Sequence, residues 1–333
     1  MRVGINGFGR IGRLVFRIIE AKRLNGEDIQ VTAVNCSMTN QQFLQLLQYD
    51  SIHGKFTVNS TYNNEKSITI NDNKVFRFNE RQANKIDWDK AEVEYVIDCT
   101  GAFKTMENAK LHFHSKKIKK IIVSSPSTDI PMFVIGVNIE KYNGETIISN
   151  ASCTTNCLAP LIKIIHENFI IDDALMTTIH SSTSSQNTLD NKSRKNLRLG
   201  RCCLNNIIPS TTGAATCVGK IIPELEGKIN GISLRVPTPN VSVVDLTVRL
   251  EKSTSYEEIM KCLKSAEKKE LKGILMVCDK ELVSSDFIGD PHSCIVDAKA
   301  GIELNPRFFK IIAWYDNEWG YSNRLVDLLE YIQ

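Results

Sequence analysis

The segment from Ile148 to Pro160 carries the strongest chemical signal in the chain. Cys153 lies where a helix is expected to begin, after a β-rich run that ends at Ser149. A thiol at a helix N-terminus lies at the positive end of the helix dipole, which favours the thiolate. Ser152 and Thr154 add hydroxyl groups at the same point. The segment therefore predicts a nucleophilic cysteine, with a buried structural cysteine as the alternative.

His180 is the residue that the sequence best places to activate this cysteine. It ends a predicted strand over 175–180. A histidine at a strand end is commonly a structural residue, but together with a helix-start cysteine it becomes the obvious general base. Cys157 lies four residues after Cys153, on the same helix face, and is interpreted as the core member of the pair. No metal site is predicted, because no second Cys/His pair completes the usual ligand spacing.

Two further regions are candidates for binding anions. Arg235 lies in the apolar run 232–236, where a charged side chain needs a buried anionic partner. Thr212 and Gly213 belong to a hydroxyl-rich turn that enters an Ala-rich helix, and a helix N-terminus suits an anion. The polar segment 181–206 indicates a functional loop or a solvated one. Its basic residues could receive anions or a neighbouring subunit; they are Arg194, Lys195, Arg198 and Arg201.

A glycine-rich turn near the N-terminus predicts the element that binds a dinucleotide. The strand Val3–Asn6 leads directly into a G-x-G-x-x-G motif, and an amphipathic helix follows. The three glycines are Gly7, Gly9 and Gly12. In this order they allow the tight bend, the approach of the backbone to a pyrophosphate, and the packing of helix on strand. The pyrophosphate would accept hydrogen bonds from the backbone N–H groups of Arg10 and Ile11. The alternative interpretation of the motif is a purely structural glycine turn.

The end of the second predicted strand, 29–34, departs from the usual dinucleotide pattern. An Asp or Glu is expected there to hold the adenosine ribose hydroxyls, but the chain has Asn35, Cys36 and Ser37. The repulsion that would exclude a 2′-phosphate is therefore missing, so use of NADP stays open. Asn35 can still hydrogen-bond a ribose hydroxyl, which is compatible with NAD.

Further predicted strands define the fold class. Apolar runs at 95–99, 121–124 and 133–137 are typical of parallel strands covered on both faces. Thr100 and Ser124 lie at the carboxyl ends of two of them, where an open α/β sheet binds its ligand, and are candidate cofactor contacts. In the second half, strands over 232–236, 241–250 and 308–315 and helices over 255–269 and 319–332 predict a mixed sheet with helices.

Length and composition indicate two domains and no obligatory charged partner. The 333 residues are enough for two domains and a large core. A formal net charge of +3 is nearly neutral at this size, so no nucleic-acid partner is predicted, and the basic run 116–120 is interpreted as a solvated lead-in to a strand. Ten cysteines without a signal peptide indicate a reducing compartment. With no apolar run near the roughly 20 residues of a membrane helix, a cytoplasmic location is expected.

Four segments match one family along the whole chain. They are 4–13, 149–160, 235–245 and 314–322. On these segments the sequence closely resembles the phosphorylating, glycolytic glyceraldehyde-3-phosphate dehydrogenase family. The resemblance implies an α/β fold with a Rossmann-type NAD(P)-binding domain over 1–150, built on a parallel sheet, and an α+β catalytic domain with a mixed sheet over 151–315. It also implies that a C-terminal helix, 316–333, packs back on the first domain and that the chain forms a homotetramer.

The resemblance further implies the reaction and the roles of the site residues. Cys153 would attack D-glyceraldehyde 3-phosphate, His180 would accept a proton as hydride passes to NAD, and inorganic phosphate would release 1,3-bisphosphoglycerate from a thioester. The implied ligands of the substrate phosphate are Thr183 and Arg235, and those of the attacking phosphate are Ser152, Thr154, Thr212 and Gly213. Asn317 would hold the nicotinamide carboxamide. The other implied cofactor contacts are Gly7, Gly9, Arg10, Ile11, Gly12, Asn35, Arg81, Thr100 and Ser124.

The sequence leaves one departure from the family and two rival functions open. Most NAD-using members carry an acid where this chain has Cys36, and the loop near Lys192 lacks a Leu-Pro pair found in some NAD-specific members, so dual use of NAD and NADP is an alternative. One rival is an erythrose-4-phosphate dehydrogenase; the segments 150–152 and 211–215 favour the glyceraldehyde enzyme over it. The other is a binding protein that keeps only the fold, which the presence of the catalytic residues opposes.

Overall fold

The computed structural model describes residues 1–193 and 196–333, and these residues form two compact units. The first unit comprises Met1–Phe133, Lys141–Ala151 and Ser322–Gln333, and the second comprises Val134–Glu140 and Ser152–Tyr321. The domain boundaries predicted at 150 and 315 stay a prediction. Arg194 and Lys195, predicted to contribute to a basic loop, lie outside the described residues.

Most of the α-helices occur where the sequence patterns predict them. The α-helices are α1 (Arg10–Leu24), α2 (Asn40–Gln48), α3 (Met106–Ala109), α4 (Cys153–Phe169), α5 (Ala214–Ile221), α6 (Tyr256–Lys268) and α7 (Trp319–Tyr331). Helices α1, α4, α5, α6 and α7 were predicted, whereas α2 and α3 were not. Short 3₁₀ helices cover Ala83–Lys85, Trp88–Ala91, Lys110–His114, Ile139–Lys141, Leu197–Gly200, Pro223–Leu225 and Ser284–Phe287. Over the described ranges, no helix combines the length and the apolar character needed to cross a bilayer.

The first unit is built on an eight-stranded sheet. Its strands are β1 (Arg2–Asn6), β2 (Gln30–Asn35), β5 (Ser60–Asn64), β6 (Ser67–Ile70), β7 (Asn73–Phe78), β8 (Tyr95–Asp98), β9 (Lys120–Val123) and β10 (Ile147–Ser149), and a separate ribbon joins β3 (Tyr49–Asp50) to β4 (Gly54–Lys55). The order β10-β9-β8-β1-β2-β7 is parallel throughout, and β6 and β5 continue it as an antiparallel edge. The predicted Rossmann-type parallel sheet is confirmed, with this edge added.

The second unit is built on a seven-stranded mixed sheet. Its strands are β11 (Ile171–His180), β12 (Ile208–Thr211), β13 (Ile229–Arg235), β14 (Ser242–Leu250), β15 (Leu275–Cys278), β16 (Cys294–Asn305) and β17 (Phe308–Tyr315), in the order β12-β13-β11-β14-β17-β16-β15. β11 runs parallel to β13 but antiparallel to β14, so the predicted mixed sheet is confirmed. Along β11, Ala174 and Met176 are buried whereas Leu175 is 67% exposed, because alternate side chains point to opposite faces.

The strand predicted over 133–137 is wrong. The chain turns there: Gly136 has φ of 80°, and the Val137 N–H donates to the Val134 carbonyl at 3.0 Å. Asn138 Oδ1 accepts the Val134 N–H at 2.8 Å, and the 3₁₀ helix Ile139–Lys141 follows. Val134 and Val137 are nevertheless buried. The run is apolar because the loop is covered, so burial alone produced a pattern that resembles a strand.

Candidate active site

The start of α4 places Cys153 at the end of a sharp turn. Ser152 is the N-cap of this helix, and its Oγ accepts the Thr155 N–H at 3.0 Å. Ala151, just before it, has φ of 53°, a left-handed conformation that is strained for a residue with a Cβ. Strain of this kind is commonly stored at functional sites. Cap and turn together fix the first helical residue, which carries the thiol.

Cys153 and His180 face each other within reach of proton transfer. Cys153 Sγ lies 3.6 Å from His180 Nε2, at the end of β11. His180 Nδ1 lies 2.8 Å from the Ser181 carbonyl oxygen. The tautomer with its proton on Nδ1 donates to that carbonyl and leaves the Nε2 lone pair directed at the thiol. This arrangement is that of a nucleophile and its general base.

Arg235 stands beside the histidine because β13 pairs in register with β11, which brings His180 opposite Arg235. Its Nη1 lies 2.7 Å from His180 Nδ1 and donates to the Ser181 carbonyl at 3.2 Å. Donation to Nδ1 needs the neutral tautomer that carries its proton on Nε2, whereas the base form described above has its proton on Nδ1, so beside the base form Arg235 donates only to the Ser181 carbonyl. Neither the imidazole nor the carbonyl oxygen carries a negative charge. The anionic partner that the sequence predicts for this guanidinium is thus not supplied by these contacts, and the cation is available to an anionic ligand.

Burial controls the ionisation of the pair. It raises the pKa of the Cys153 thiol, although the Arg235 charge and hydrogen bonds from Thr154 act in the opposite direction. Burial, followed by the Arg235 charge, lowers the pKa of His180 to about 3. The resting pair is therefore a neutral thiol and a neutral imidazole at pH 7. The helix start is present as predicted, but its preference for the thiolate is outweighed by desolvation.

Tyr315 is a residue of the site that sequence reasoning missed. Its hydroxyl lies 2.9 Å from Thr154 Oγ1 and 2.8 Å from Thr178 Oγ1, and it joins the ends of α4, β11 and β17. Its ring meets the His180 imidazole edge-on, with centroids 6.0 Å apart and planes at 78°. Burial raises the pKa of the Tyr315 hydroxyl, which stays protonated. The Thr154 side chain is thus partnered inside the protein.

Asn317 is held by two serine hydroxyls. Ser181 Oγ and Ser242 Oγ each donate to Asn317 Oδ1 at 2.9 Å, and all three residues are buried. Because the oxygen of the amide receives both hydroxyl protons, its Nδ2 end is the one left as a donor for other groups. Asn317 lies between β17 and α7.

The remaining predicted phosphate ligands lie on two other segments. Gly213 is the N-cap of α5, and a Cβ added to it would meet no atom within 4 Å, so the backbone there is open. Thr212 Oγ1 accepts the Ala214 N–H at 3.2 Å. Thr183 follows β11, and its hydroxyl lies 3.0 Å from Ser185 Oγ. Direct contacts join Cys153, His180 and Arg235, and the roles of all these residues stay predictions.

The glycine turn of the first unit fits a dinucleotide. Gly7 has φ of 91°, as a tight bend requires. A Cβ on Gly12 would lie 2.1 Å from the Gly7 carbonyl oxygen, so only glycine allows helix and strand this close. A Cβ on Gly9 would meet nothing within 4 Å, and Gly9 caps α1 without a side-chain hydrogen bond. The helix start therefore keeps open space and backbone N–H donors for a pyrophosphate.

Asn35 is less available to a ribose than its position suggests. Its Nδ2 donates to Asn6 Oδ1 and to the Glu80 carbonyl, each at 2.8 Å, and its Oδ1 accepts the Glu80 N–H at 2.8 Å. Both of its N–H donors are thus used inside the protein, and a ligand could approach only the remaining lone pair of Oδ1. Asn6 in turn donates to the buried Asp98 at 2.6 Å. The side chain stabilises the carboxyl ends of the central strands.

Other predicted cofactor contacts line the same edge of the sheet. The Arg10 guanidinium pairs with Asp50, Nη2 to Oδ1 at 3.0 Å, and this pairing, with burial acting against it, lowers the pKa of Asp50. Thr100 Oγ1 donates to Asp98 Oδ1 at 2.7 Å, and the Ser124 N–H donates to the Asp98 carbonyl at 2.9 Å. Arg81 is exposed just after β7, and Ile11 is half-buried at the start of α1. Their roles toward a cofactor stay predictions.

A thiol–imidazole pair on a mixed-sheet unit and a dinucleotide turn on a parallel-sheet unit define a cysteine-dependent dehydrogenase of aldehydes. Residues 1–106 match the family model of the NAD binding domain of glyceraldehyde 3-phosphate dehydrogenase, and residues 152–317 match that of its C-terminal domain. The chain belongs to the glyceraldehyde-3-phosphate dehydrogenase family.

Full-length relatives support this assignment. The chain is 52% identical over 332 residues to glyceraldehyde-3-phosphate dehydrogenase B of Aspergillus oryzae, covering 99% of this chain and 98% of the relative. It is 52% identical over 333 residues to the enzyme of Sclerotinia sclerotiorum, covering 99% and 97%. It is 51% identical over 331 residues to the cytosolic enzyme of Chlamydomonas reinhardtii, covering 98% and 95%.

Proposed function

We propose that this chain oxidises D-glyceraldehyde 3-phosphate to 1,3-bisphosphoglycerate with NAD⁺ and inorganic phosphate, as a glycolytic and gluconeogenic enzyme. The observation that carries the proposal is the contact of Cys153 Sγ with His180 Nε2 at 3.6 Å, beside the Arg235 cation. In this assignment residues 1–150 bind the cofactor, residues 151–315 carry catalysis and the C-terminal segment 316–333 returns to the first domain.

The first step forms a bond between the thiol and the aldehyde carbon. Since the resting thiol is neutral, its proton passes to His180 Nε2 as the carbon–sulfur bond forms. The product is a hemithioacetal on Cys153. Its developing oxyanion is stabilised by the Cys153 backbone N–H and by the protonated imidazole.

The second step removes hydride from the former aldehyde carbon. NAD⁺, when bound, supplies the acceptor of that hydride. The oxyanion first takes the Nε2 proton, which returns His180 to its neutral form. As hydride leaves, His180 accepts that hydroxyl proton and the hemithioacetal becomes a thioester. Desolvation keeps the pKa of His180 low, so the imidazole returns readily to the basic form that this step needs.

The third step transfers the acyl group to inorganic phosphate. A phosphate oxygen attacks the thioester carbon, the carbon–sulfur bond breaks, and Cys153 leaves as a thiolate that is then reprotonated. In this proposal Arg235 and Thr183 hold the substrate phosphate, while Ser152, Thr154, Thr212 and Gly213 receive the attacking phosphate. Because the Thr154 hydroxyl contacts Tyr315, Thr154 contributes through its backbone N–H.

Purified enzyme should be assayed for NADH formation with D-glyceraldehyde 3-phosphate and with erythrose 4-phosphate, each with and without phosphate. We expect phosphate-dependent NADH formation and a higher kcat/KM for the three-carbon sugar. A higher kcat/KM for the four-carbon sugar would instead assign an erythrose-4-phosphate dehydrogenase. No turnover of either sugar would contradict the enzyme assignment and favour a binding protein.

Dual use of NAD and NADP is a finer part of the proposal. At the position of Cys36, most NAD-using members of the family carry a carboxylate that repels the 2′-phosphate of NADP. This chain lacks that carboxylate. The buried Arg77 guanidinium supports the loop that follows, donating to the Thr39 carbonyl at 3.0 Å and to Asn40 Oδ1 at 3.2 Å. Its positive charge near Cys36 favours an anion there. Steady-state kinetics with both cofactors tests this, and absence of measurable NADP turnover would refute it.

Assembly and location complete the proposal. On the second unit's sheet, Leu175 is 67% exposed and Ile232 is 53% exposed. On β16, next to the edge strand β15, Ile302 is 55% exposed and Leu304 is 70% exposed. Exposed apolar surface of this kind is typical of subunit interfaces, and we assign it to a homotetramer. Light scattering should give about four times the 37.5 kDa chain mass. The ten free cysteines fit the reducing cytoplasm.

A further inference from the structure

Ser181 is a junction between the catalytic base and Asn317. Its carbonyl oxygen lies 2.8 Å from His180 Nδ1, and its hydroxyl donates to Asn317 Oδ1 at 2.9 Å. Its N–H donates to Ser242 Oγ at 3.0 Å. Ser181 is 0% exposed and Ser242 is 1% exposed, so these hydrogen bonds are shielded from water. None of the roles predicted from the sequence involves either serine.

The direction of the hydrogen bonds follows from the donors present. Ser242 Oγ accepts the Ser181 N–H, so its own proton is free to donate to Asn317 Oδ1 at 2.9 Å. The two serine hydroxyls also lie 3.5 Å apart. If the amide of Asn317 were flipped, its NH₂ would face both hydroxyls, and two buried hydroxyl protons would lose their acceptor. The serines therefore select one of the two amide orientations.

We propose that Ser181 and Ser242 are positioning residues that fix the Asn317 amide with its NH₂ directed at a ligand carbonyl, and that the ligand group so recognised is the carboxamide of nicotinamide. This inference rests on the proposed function, in which Asn317 contacts that carboxamide. A fixed donor favours one orientation of the carboxamide and thus one face of the ring. The serines would accordingly contribute to the affinity for the nicotinamide end of the cofactor and to the stereochemistry of hydride transfer.

The experiment compares two probes that differ at the nicotinamide. Calorimetric titration of the cofactor-free protein with NAD⁺ and with ADP-ribose, which lacks nicotinamide, gives an affinity ratio for each variant. For Ser242→Ala we expect the NAD⁺ affinity to fall about fivefold, the scale of one lost neutral hydrogen bond, while that for ADP-ribose is unchanged. Ser181→Ala should lower the ratio in the same direction and provides a second reading if the first variant folds poorly.

Ser293→Ala is the matched control. Ser293 is a buried serine of the same unit, 4% exposed, and its hydroxyl has no hydrogen-bond partner among the described residues. Its replacement should leave the NAD⁺ to ADP-ribose ratio at the wild-type value. If Ser242→Ala weakened both probes equally, the serines would be structural only and the inference would be overturned.

Asn317→Ala separates this inference from the function on which it rests. If that variant leaves the affinity ratio unchanged, Asn317 does not contact nicotinamide and that part of the proposed function fails. If Asn317→Ala lowers the affinity ratio but neither serine variant does, Asn317 acts without the serines. The positioning role of the serines would then be refuted, and the contact of Asn317 with nicotinamide would stand. Transfer of deuterium from C1-deuterated substrate gives an independent readout: loss of strict facial selectivity in the serine variants supports the inference, and full retention opposes it.

Discussion

Two helix starts in this molecule are proposed to perform different tasks, although each follows an N-cap residue in an extended conformation. The start of α1 has glycine as its N-cap, so no capping side chain accepts its N–H groups. The start of α4 has Ser152 as its N-cap, and Ser152 Oγ accepts the Thr155 N–H. The first start is predicted to bind a pyrophosphate through its backbone. The second uses part of its backbone for its own structure and is predicted to act through a side chain, Cys153.

The start of α5 belongs with that of α1. Gly213 caps it without a side-chain hydrogen bond of its own, and the space around its Cα is open, although the preceding Thr212 Oγ1 accepts the Ala214 N–H at 3.2 Å. Both glycine-capped starts are predicted to receive phosphate groups, a pyrophosphate at α1 and inorganic phosphate at α5. The difference teaches that the N-cap residue sets how many backbone N–H donors a helix start leaves for an anion, because a capping side chain competes with the ligand for the same donors.

The strongest test of this comparison removes the thiol from the α4 start. Cys153→Ser should lower kcat by about a thousandfold or more, since the weaker nucleophile cannot form the thioester, while NAD⁺ affinity stays at the wild-type value. NADH formation and calorimetric titration with NAD⁺ measure the two quantities. Cys157→Ala, four residues along the same helix, is the control and should keep turnover. Retained activity in Cys153→Ser would refute the assignment of the nucleophile.

The next test removes the base that makes the α4 start reactive. His180→Asn should lower kcat by about 100-fold to 10,000-fold, the usual contribution of a general base. In the wild-type enzyme the pKa of this histidine is about 3, so its protonation should produce no acid limb of kcat/KM near pH 6.5. A limb at that pH that disappears in the variant would contradict this depressed value.

The same histidine makes folding stability depend on pH. Its pKa is about 3 in the folded protein and near 6.5 in the unfolded chain, so between these values the unfolded chain binds more protons. The free energy of unfolding should therefore decrease as the pH falls from 6.5 toward 3. Urea unfolding at pH 7 and pH 5 measures the effect, which should be smaller in His180→Asn; an equal decrease in both proteins would exclude this residue as a source.

A pair of glycine variants separates binding from folding at the α1 start. Gly9→Ala adds a Cβ into open space, so we expect little change in stability but about tenfold weaker NAD⁺ binding, because the methyl group occupies the approach of the pyrophosphate. Gly12→Ala places a Cβ 2.1 Å from the Gly7 carbonyl oxygen and should cost about 2 kcal/mol of unfolding free energy. Thermal unfolding and NAD⁺ titration of both variants test this; equal effects on stability would remove the distinction.

The smallest expected effect concerns the cap itself. Ser152→Ala removes the N-cap of α4 and should lower the free energy of unfolding by about 1 kcal/mol. Ser255 is the N-cap of α6, and its Oγ accepts the Glu258 N–H at 3.2 Å. Ser255→Ala should therefore lower the free energy of unfolding by about the same amount. Only Ser152→Ala should also raise KM for phosphate. If both variants left KM unchanged, the cap of α4 would have no role in phosphate binding.

Local sequence was sufficient to predict the start of α4 and the central strands of both sheets, but not the strands β3 to β7, β12, β15 and β16. α4 begins at Cys153 and β17 spans Phe308–Tyr315, as the pattern of polar and apolar residues predicts. The antiparallel edge was not predicted, because β5 is exposed at every residue and has no apolar alternation to reveal it. The wrong strand over 133–137 has the opposite cause, an apolar loop that the fold covers.

What the sequence could not provide depends on contacts between distant positions. The Tyr315 hydroxyl contacts Thr154, 161 residues earlier in the chain, and Thr178, 137 residues earlier. The residues around Tyr315 in the sequence do not indicate those partners. The ionisation of Cys153 shows the same limit: the helix dipole follows from local sequence, but the desolvation that raises the pKa of the thiol depends on everything packed around it.

The junction at Ser181 also bears on how the enzyme tolerates mutation. The hydrogen bond that orients the base uses a backbone carbonyl, which every amino acid possesses, whereas the one that orients Asn317 uses a hydroxyl, which few possess. Random substitution at this position would thus preserve proton transfer more readily than the presentation of the nicotinamide ring. The two functions of this one residue therefore differ in their tolerance to mutation. Substitutions that accumulate at position 181 would lower the stereochemical selectivity of hydride transfer before they impaired proton transfer from Cys153.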